Sequence, residues 1–306
     1  MLSVSILQES LFIPYGEGHL HLRKLAPDYG ETDKIPILML HGILSNGRSF
    51  YSESGRGLAS YLAREGFTVY VMDAAGRGLS TPKLSRDFDP SQVDTICKEI
   101  PLAHDFILSQ HPQVKKVHWL GHSWGGVLLL SSLIKFTHHQ QQVASVVTFG
   151  TKRRLRTRSL KKFLMIDLFW KLICPALIKI DGYLAADKWK FGSDGDSRTT
   201  TRQAIDWVER DWIDHDDHFD YAKAALDIEW PPCWFITAHN DTVLGNPNDV
   251  KAIMKECGLE HAKYTLLSKS NGNFHDYDHS SMLTHADAVN DHFTELADWY
   301  HSSFLD

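Results

Sequence analysis

The sequence predicts an α/β protein in which helices cover both faces of a mostly parallel central sheet. Short apolar runs rich in β-branched residues alternate with segments of helical periodicity along most of the 306-residue chain. This alternation is interrupted between residues 152 and 230, where helical patterns follow one another. We therefore expect a parallel sheet with a helical insertion after its sixth core strand.

The predicted elements follow in a regular order. Two strands flank the turn Gly16-Glu17-Gly18 within residues 11–25. Further strands are predicted at residues 35–40, 67–72, 115–120, 143–149, 233–237 and 264–267. Helices are predicted around Leu58, ending at Gly66, from Val127 to Phe136, and from Ala286 to Tyr300, where apolar residues recur at steps of three and four.

The interruption divides the chain into two predicted parts. Residues 152–162 form the basic run KRRLRTRSLKK, residues 163–180 are mainly apolar, and residues 211–220 form the acidic run DWIDHDDHFD. We predict a core formed by residues 1–151 and 231–306 and a helical cap formed by residues 152–230. Because no Gly/Ser-rich linker separates them, cap and core are expected to form one continuous unit.

Composition narrows the classes of function. The net charge of −6 argues against a general nucleic-acid-binding protein. No uncharged apolar run reaches about 18 residues, so no integral membrane segment is predicted. The first residues, MLSVSILQES, carry no positive charge before their apolar residues, so no secretory signal is expected. Four scattered cysteines without a C-x-x-C pair predict reduced thiols in a cytoplasmic protein.

The segment Gly121-His122-Ser123-Trp124-Gly125-Gly126 joins a predicted strand to a predicted helix. A G-x-S-x-G turn at such a junction holds its serine in a strained, exposed position that suits a nucleophile. The two glycines after Trp124 allow the helix to begin close to neighbouring backbone. Ser123 is therefore the predicted nucleophile, and a glycine-rich turn without chemistry is the alternative.

An activated serine needs a base, and an acid that orients the base, on loops at the same edge of the sheet. Asp241 follows the strand at 233–237, and His279 precedes the final helix. The order Ser123, Asp241, His279 is the one expected when the nucleophile lies on this type of turn.

Neighbouring residues offer alternatives to these assignments. His275 and His285 compete with His279, and Asp249 competes with Asp241 but is expected to cap the next helix. Residues 214–218, Asp-His-Asp-Asp-His, contain metal-ligand types, but no second group has metal spacing. A solvated helix end is the preferred interpretation, and neither a metal nor an organic cofactor is expected.

At this point the chain resembles the α/β-hydrolase superfamily, and among its members the serine esterases and lipases. The resemblance covers residues 10–150 and 230–303 and rests on His41-Gly42-Ile43, Asp73 with Gly76-Arg77-Gly78-Leu79-Ser80, Gly121 to Gly126, Asp241 and His279. It implies an α/β-hydrolase fold and an oxyanion hole formed by the backbone N–H groups of Ile43 and Trp124. It also implies a structural role for the turn at 73–80.

Three residues beside these motifs, His41, Leu44 and His122, are assigned to the substrate pocket. For His41 a hydrogen-bonded structural role is favoured over a catalytic one. His122 and Trp124, which flank the serine, are expected to be pocket walls and not proton carriers.

Together these residues predict a serine hydrolase that cleaves a carboxylic ester through an acyl-enzyme. An apolar cap over the site favours a small-molecule ester with a hydrophobic acyl or alcohol part. The same three residues would serve a thioesterase, an amidase, a C–C bond hydrolase or an acyltransferase. A non-catalytic ligand-binding protein on this fold is the alternative outside the enzymes.

The basic run at 152–162 has three interpretations. It steers an anionic substrate, it makes peripheral contact with an anionic membrane surface beside the apolar segment at 163–180, or it pairs with the acidic residues at 211–220. The third interpretation is preferred. The oligomeric state is left open.

Overall fold

A computed structural model describes residues 5–30 and 32–302, and it confirms the predicted α/β architecture. Eight strands form one sheet in the order β1-β2-β4-β3-β5-β6-β7-β8. β1 and β2 pair antiparallel, as do β2 and β4, and every other pairing is parallel. The strands are β1 (Ile6–Tyr15), β2 (Gly18–Pro27), β3 (Ile37–Leu40), β4 (Val69–Asp73), β5 (Val117–His122), β6 (Val143–Phe149), β7 (Cys233–Ala238) and β8 (Lys263–Leu267).

The central strands are buried on both faces, as their apolar sequences predict. Every residue of β3, β4, β5, β6 and β7 is buried. β3 begins at Ile37, two residues later than predicted, because Pro36 has no N–H to donate to a neighbouring strand. β5 extends two residues further than predicted, through Gly121 and His122, and so carries the chain directly to Ser123.

Helices pack on both faces of this sheet. Outside the interval between β6 and β7 they are α1 (Leu58–Arg64), α2 (Gln92–Asp94), α3 (Ile100–Gln110), α4 (Trp124–Lys135), α5 (Thr137–Gln142), α10 (Pro247–Glu256), α11 (Ser281–Thr284) and α12 (His292–Ser302). A π-helix, Thr95–Glu99, joins α2 to α3. The sequence pattern did not predict this run at 92–110, in which Pro101 interrupts the periodicity.

The predicted closing helix is divided in two. A 3₁₀-helix spans Ala286–Asn290, and α12 begins after Asp291, whose backbone is not helical. The Asp291 carboxylate accepts hydrogen bonds from Asn273, Phe274 N–H and the Tyr277 hydroxyl. These long-range bonds stabilise the break, which the helical periodicity alone did not predict.

Between β6 and β7 the chain is mainly helical, as expected. This interval contains α6 (Leu160–Lys162), a π-helix (Phe163–Ile173), α7 (Cys174–Asp181), α8 (Arg198–Glu209) and α9 (Tyr221–Ala224). The first three run on without a break, and Pro175 lies where the π-helix gives way to α7. Among the helices that the structure describes, none is long and apolar enough to cross a bilayer.

Candidate active site

Ser123 lies in the turn between β5 and α4 with a strained backbone, φ 53° and ψ −122°. Its own N–H donates to the Phe149 carbonyl at 2.8 Å. Its carbonyl accepts the Thr151 hydroxyl at 3.0 Å. A non-glycine residue with positive φ costs about 1–3 kcal/mol. The two hydrogen bonds to Phe149 and Thr151, at the end of β6, hold the serine in this conformation.

The glycines around Ser123 are required by close backbone approaches. A Cβ atom on Gly125 would lie 2.3 Å from the carbonyl oxygen of His41 and 2.4 Å from that of Leu40. A Cβ atom on Gly121 would lie 2.4 Å from the Cα atom of Gly126. The start of α4 therefore rests directly on the end of β3, which leads into the His41-Gly42-Ile43 segment.

Asp241 and His279 meet although 38 residues separate them. Asp241 follows β7, and its Oδ2 atom lies 2.5 Å from Nδ1 of His279. Its Oδ1 atom accepts the Gly245 N–H at 2.7 Å. Because the carboxylate accepts, Nδ1 carries the proton and Nε2 of the neutral ring keeps its lone pair.

His279 and Ser123 line one cavity of about 450 Å³. Most of its wall is apolar, and the side chains come from both sides of the sheet edge: Leu44, Leu155, Met165, Ile166, Phe169, Trp170, Phe191, Val208, Leu244 and Leu283. Seven of these ten belong to the interval 152–230, which therefore supplies most of the apolar wall beside the serine.

Ile43 and Trp124, whose backbone N–H groups are the predicted oxyanion donors, also line this cavity. Within the described residues neither N–H has a hydrogen-bond acceptor, since the only such bonds nearby are made by Ser123, Leu44 and Gly126. Two unpaired donors beside a serine are suited to hold an oxyanion.

Asp196 fixes the loop that carries Ile43, a role that the sequence analysis missed. Its Oδ2 atom accepts the Leu44 N–H at 2.9 Å, and its Oδ1 atom is bound by Arg77. The Leu44 carbonyl in turn accepts the Ser193 N–H at 3.1 Å. Leu44 itself has a positive φ of 56°, so these bonds hold a strained residue next to the free N–H of Ile43.

Of the three residues predicted for the pocket, Leu44 and His122 line the cavity and His41 does not. The contacts of His41 match the structural role that the sequence favoured for it, and its place in the substrate pocket stays a prediction. This ring is 1% exposed, lies 2.8 Å from the Gly42 carbonyl through Nδ1, and accepts the Ala74 N–H through Nε2. Burial lowers the pKa of His41 to about 4, so it stays neutral and structural.

The competing acid and bases lie away from the serine. His275 pairs with Asp287 at 2.7 Å, and neither His275 nor His285 lines the cavity. Asp249 accepts the Arg156 N–H at 2.9 Å. Its expected role as helix N-cap is wrong, since Asn246 caps α10 by accepting the Asn248 N–H.

The basic run at 152–162 is only partly paired with acidic residues. Arg154 pairs with Asp211 in the acidic stretch, whereas Arg153 pairs with Glu256 of α10.

Asp214 accepts hydrogen bonds from Lys135 and Tyr221, so residues 214–218 serve a local network. Within residues 5–30 and 32–302 there are two groups of three potential metal ligands. One group is formed by residues 104, 105 and 139 and the other by residues 275, 285 and 287, and neither group lines the cavity.

Lys152, the first residue of the basic run, is a cavity residue that the sequence did not predict. It follows β6, next to Thr151, whose hydroxyl binds the Ser123 carbonyl. It is 6% exposed and lines the cavity. Burial lowers the pKa of its ammonium group to about 8, against the opposing influence of Asp241 and Asp249. Lys152 is the first residue of a basic run, and no feature of that sequence predicts its burial.

Comparison with known proteins places this geometry in context. A family model described as the alpha/beta hydrolase fold matches residues 35–173. A search of curated proteins finds no match.

Solved structures similar to the chain include two lipases and a thioesterase. A soluble variant of monoglyceride lipase from Saccharomyces cerevisiae has a TM-score of 0.65 and 16% identity, over 97% of this chain and 95% of that one. A monoacylglycerol lipase from Paleococcus ferrophilus has a TM-score of 0.56 and 16% identity, over 93% and 99%. A thioesterase domain from the curacin biosynthetic pathway has a TM-score of 0.57 and 16% identity, over 97% and 100%. At these identities the likeness establishes a shared fold.

Proposed function

Because the chain has the α/β-hydrolase fold, we propose that it is a serine hydrolase that cleaves a carboxylic ester with a hydrophobic acyl or alcohol part. The observation that carries this proposal is the Asp241–His279 pair, whose Oδ2 and Nδ1 atoms lie 2.5 Å apart, with His279 on the wall of the same cavity as Ser123. The names of the similar structures, two lipases and a thioesterase, support the same reaction class.

In the proposed reaction, Nε2 of His279 takes the hydroxyl proton as Oγ of Ser123 attacks the ester carbonyl. Asp241 holds the imidazole ring and stabilises its protonated form. The N–H groups of Ile43 and Trp124 bind the oxyanion, and loss of one such donor costs about 3 kcal/mol in a comparable enzyme. The C–O bond then breaks, the alcohol leaves with the proton from His279, and water releases the acid by the same steps.

We further propose that residues 152–230 form a cap that selects the substrate. The π-helix Phe163–Ile173 places Met165, Ile166 and Phe169 on the cavity wall. Such a surface favours alkyl or aryl groups over sugars or peptides. Thioesters, amides, C–C bonds and acyl transfer to an alcohol use the same residues, and substrate tests separate them. The four cysteines are unpaired, which supports a reducing, cytoplasmic compartment.

The test is hydrolysis of p-nitrophenyl esters from acetate to palmitate by the wild-type protein and by Ser123→Ala. We expect activity that peaks at one chain length and is lost in the variant, which should fold normally. Labelling by a fluorophosphonate should occur at Ser123 in the wild type alone. Neither turnover nor labelling would overturn the proposal and favour a ligand-binding protein.

Peripheral membrane contact is proposed for the outer face of the same helical run. Large apolar side chains there are exposed: Leu160, Phe163, Leu164, Leu168, Leu172, Ile173 and Ile180. The same stretch of sequence also carries four exposed cations without an ion pair in the described chain: Arg156, Arg158, Lys161 and Lys179. An apolar stripe flanked by cations suits the surface of an anionic bilayer.

Sedimentation with phospholipid vesicles tests this contact. We expect binding to vesicles that contain phosphatidylglycerol, weaker binding to phosphatidylcholine alone, and loss of both when Leu164, Leu168 and Leu172 become Ser. Leu226→Ser, which changes an exposed leucine outside this face, serves as the control. Equal binding by the triple variant and the control would contradict the proposal.

A further inference from the structure

Among the residues that line the cavity, Lys152 is the one lysine, arginine, aspartate or glutamate. The other lining residues are apolar, small or hydroxyl-bearing, apart from two histidines. Of these, His122 is held neutral, because burial keeps its pKa well below the ordinary value. The cavity therefore presents a single cation against a largely apolar wall.

The Lys152 ammonium has no ion-pair or hydrogen-bond partner in the part of the chain that the structure describes. Asp241 and Asp249 lie near enough to favour its charge, but neither accepts a hydrogen bond from it. Asp241 accepts from His279 and Gly245, and Asp249 accepts from the Arg156 N–H and the Thr157 hydroxyl. The N–H donors of the ammonium are therefore free to bind an anionic acceptor on a molecule that enters the cavity.

Lys152 also lies close to the nucleophile. Thr151, its immediate neighbour, binds the Ser123 carbonyl at 3.0 Å. A bound anion at Lys152 would therefore belong to the same molecule as an ester placed at Ser123, because both positions open into one cavity of about 450 Å³. Such a volume holds an aliphatic chain together with a small charged group.

We infer that the substrate is an ester that carries an anionic group, a carboxylate or a phosphate, and that Lys152 binds this group as the specificity-determining residue. This inference rests on the proposed ester hydrolysis. The apolar wall takes the alkyl part, Ser123 takes the carbonyl, and the ammonium replaces the lost hydration of the anion with a charge-assisted hydrogen bond.

Matched esters test the inference. The p-nitrophenyl monoesters of suberic acid, with a free terminal carboxylate, and of an ω-phosphonoalkanoic acid of equal length are compared with the neutral p-nitrophenyl octanoate. We expect kcat/KM of the wild type to be at least about 10-fold higher for one or both anionic esters, mainly through a lower KM. The better of the two identifies the anion.

Two variants assign this preference to Lys152. Lys152→Met should abolish the preference, so that kcat/KM falls at least about 10-fold more for the anionic esters than for the octanoate ester, whose apolar part needs no cation. Lys152→Arg should keep most of the preference, since it keeps the charge. Equal use of anionic and neutral esters by the wild type would overturn the inference. So would an equal loss on all esters in Lys152→Met, which would indicate that Lys152 acts through Asp241.

A binding measurement separates this inference from the proposed reaction. Calorimetric titration of Ser123→Ala with the same esters needs no turnover. Tighter binding of an anionic ester that disappears in Ser123→Ala/Lys152→Met supports anion recognition even when the wild type hydrolyses no ester. Equal affinity of Ser123→Ala for anionic and neutral esters overturns it, whatever the rate of hydrolysis.

Discussion

Nε2 of His122 donates a hydrogen bond to the backbone carbonyl of His279, 3.0 Å away and 157 residues later in the chain. A carbonyl only accepts, so Nε2 of His122 carries a proton, and burial keeps the ring neutral by holding its pKa well below the ordinary value. The two imidazole rings also lie against each other, with centroids 4.7 Å apart. The residue before the proposed nucleophile therefore holds the loop that presents the proposed base.

We predict that His122→Leu lowers kcat for ester hydrolysis about 10- to 100-fold, because the loop carrying His279 loses its anchor and small misplacements of a catalytic group are costly. His122→Gln keeps an N–H that can reach the carbonyl and should recover much of this rate. Steady-state kinetics and fluorophosphonate labelling rates measure both effects. A full rate in His122→Leu would contradict a positioning role.

Asp241→Asn tests the proposed acid by changing the tautomer of His279. The Gly245 N–H, which donates to Oδ1 of Asp241, would bind the amide oxygen of Asn. The amide N–H₂ would then face Nδ1 of His279 and force the proton onto Nε2, which could no longer accept from Ser123. The comparable change in a serine protease lowers kcat about 10⁴-fold, and a similar loss is expected here.

Asp249→Asn is the matched control, because Asp249 is the other candidate acid in the sequence and its oxygens bind Arg156 and Thr157. It should leave kcat close to that of the wild type. The reverse pattern, with activity lost in Asp249→Asn alone, would reassign the acid.

The sequence predicted those features of the candidate site that depend on local sequence patterns. The G-x-S-x-G pattern determines the backbone conformation of its own turn. The chain reaches the same edge of the sheet three times, at Ser123, Asp241 and His279, in the order that this type of turn predicts. The same local patterns predicted the central strands, since continuous apolar runs need burial on both faces.

Features that depend on contacts between distant residues were not predicted. Asp196 binds Leu44 across 152 residues of sequence. Asp291 breaks the closing helix by binding a loop that ends at Tyr277. Lys152 stands in a basic run that the sequence suggested to be solvated, and its burial depends on walls contributed by several separate segments. No periodicity or motif encodes such contacts.

Gly125→Ala should prevent correct packing of α4 on the end of β3. Its added methyl group would meet two backbone carbonyl oxygens, which cannot move away as a side chain can. We expect a loss of about 3 kcal/mol or more in the free energy of unfolding. Gly16→Ala is the control, because its φ is 55° but nothing lies within 4 Å of the added atom, so only backbone strain of about 1 kcal/mol is expected. Urea denaturation of both variants measures the difference, and equal losses would refute the steric account.

Lys152→Met is predicted to stabilise the protein at neutral pH. Burial lowers the pKa of Lys152 in the folded protein from 10.5 to about 8. Between these values the unfolded chain binds the proton and the folded protein does not, so the contribution of Lys152 to stability rises with pH. Below the folded pKa both states are protonated, and the unfavourable burial of the cation is fully present. Its removal should then raise the free energy of unfolding by up to about 3 kcal/mol.

Urea denaturation of the wild type and Lys152→Met, at pH values on both sides of the folded pKa, checks this sign. The stabilisation should be largest below that pKa and should shrink as the pH approaches 10.5, the ordinary value for lysine. Lys116→Met, at an exposed position, should change stability by less than about 0.5 kcal/mol at any pH. A destabilised Lys152→Met protein would mean that the ammonium is satisfied within the fold. A stabilised one would show that the chain retains a cation which opposes its own folding, as expected of a residue kept for a ligand.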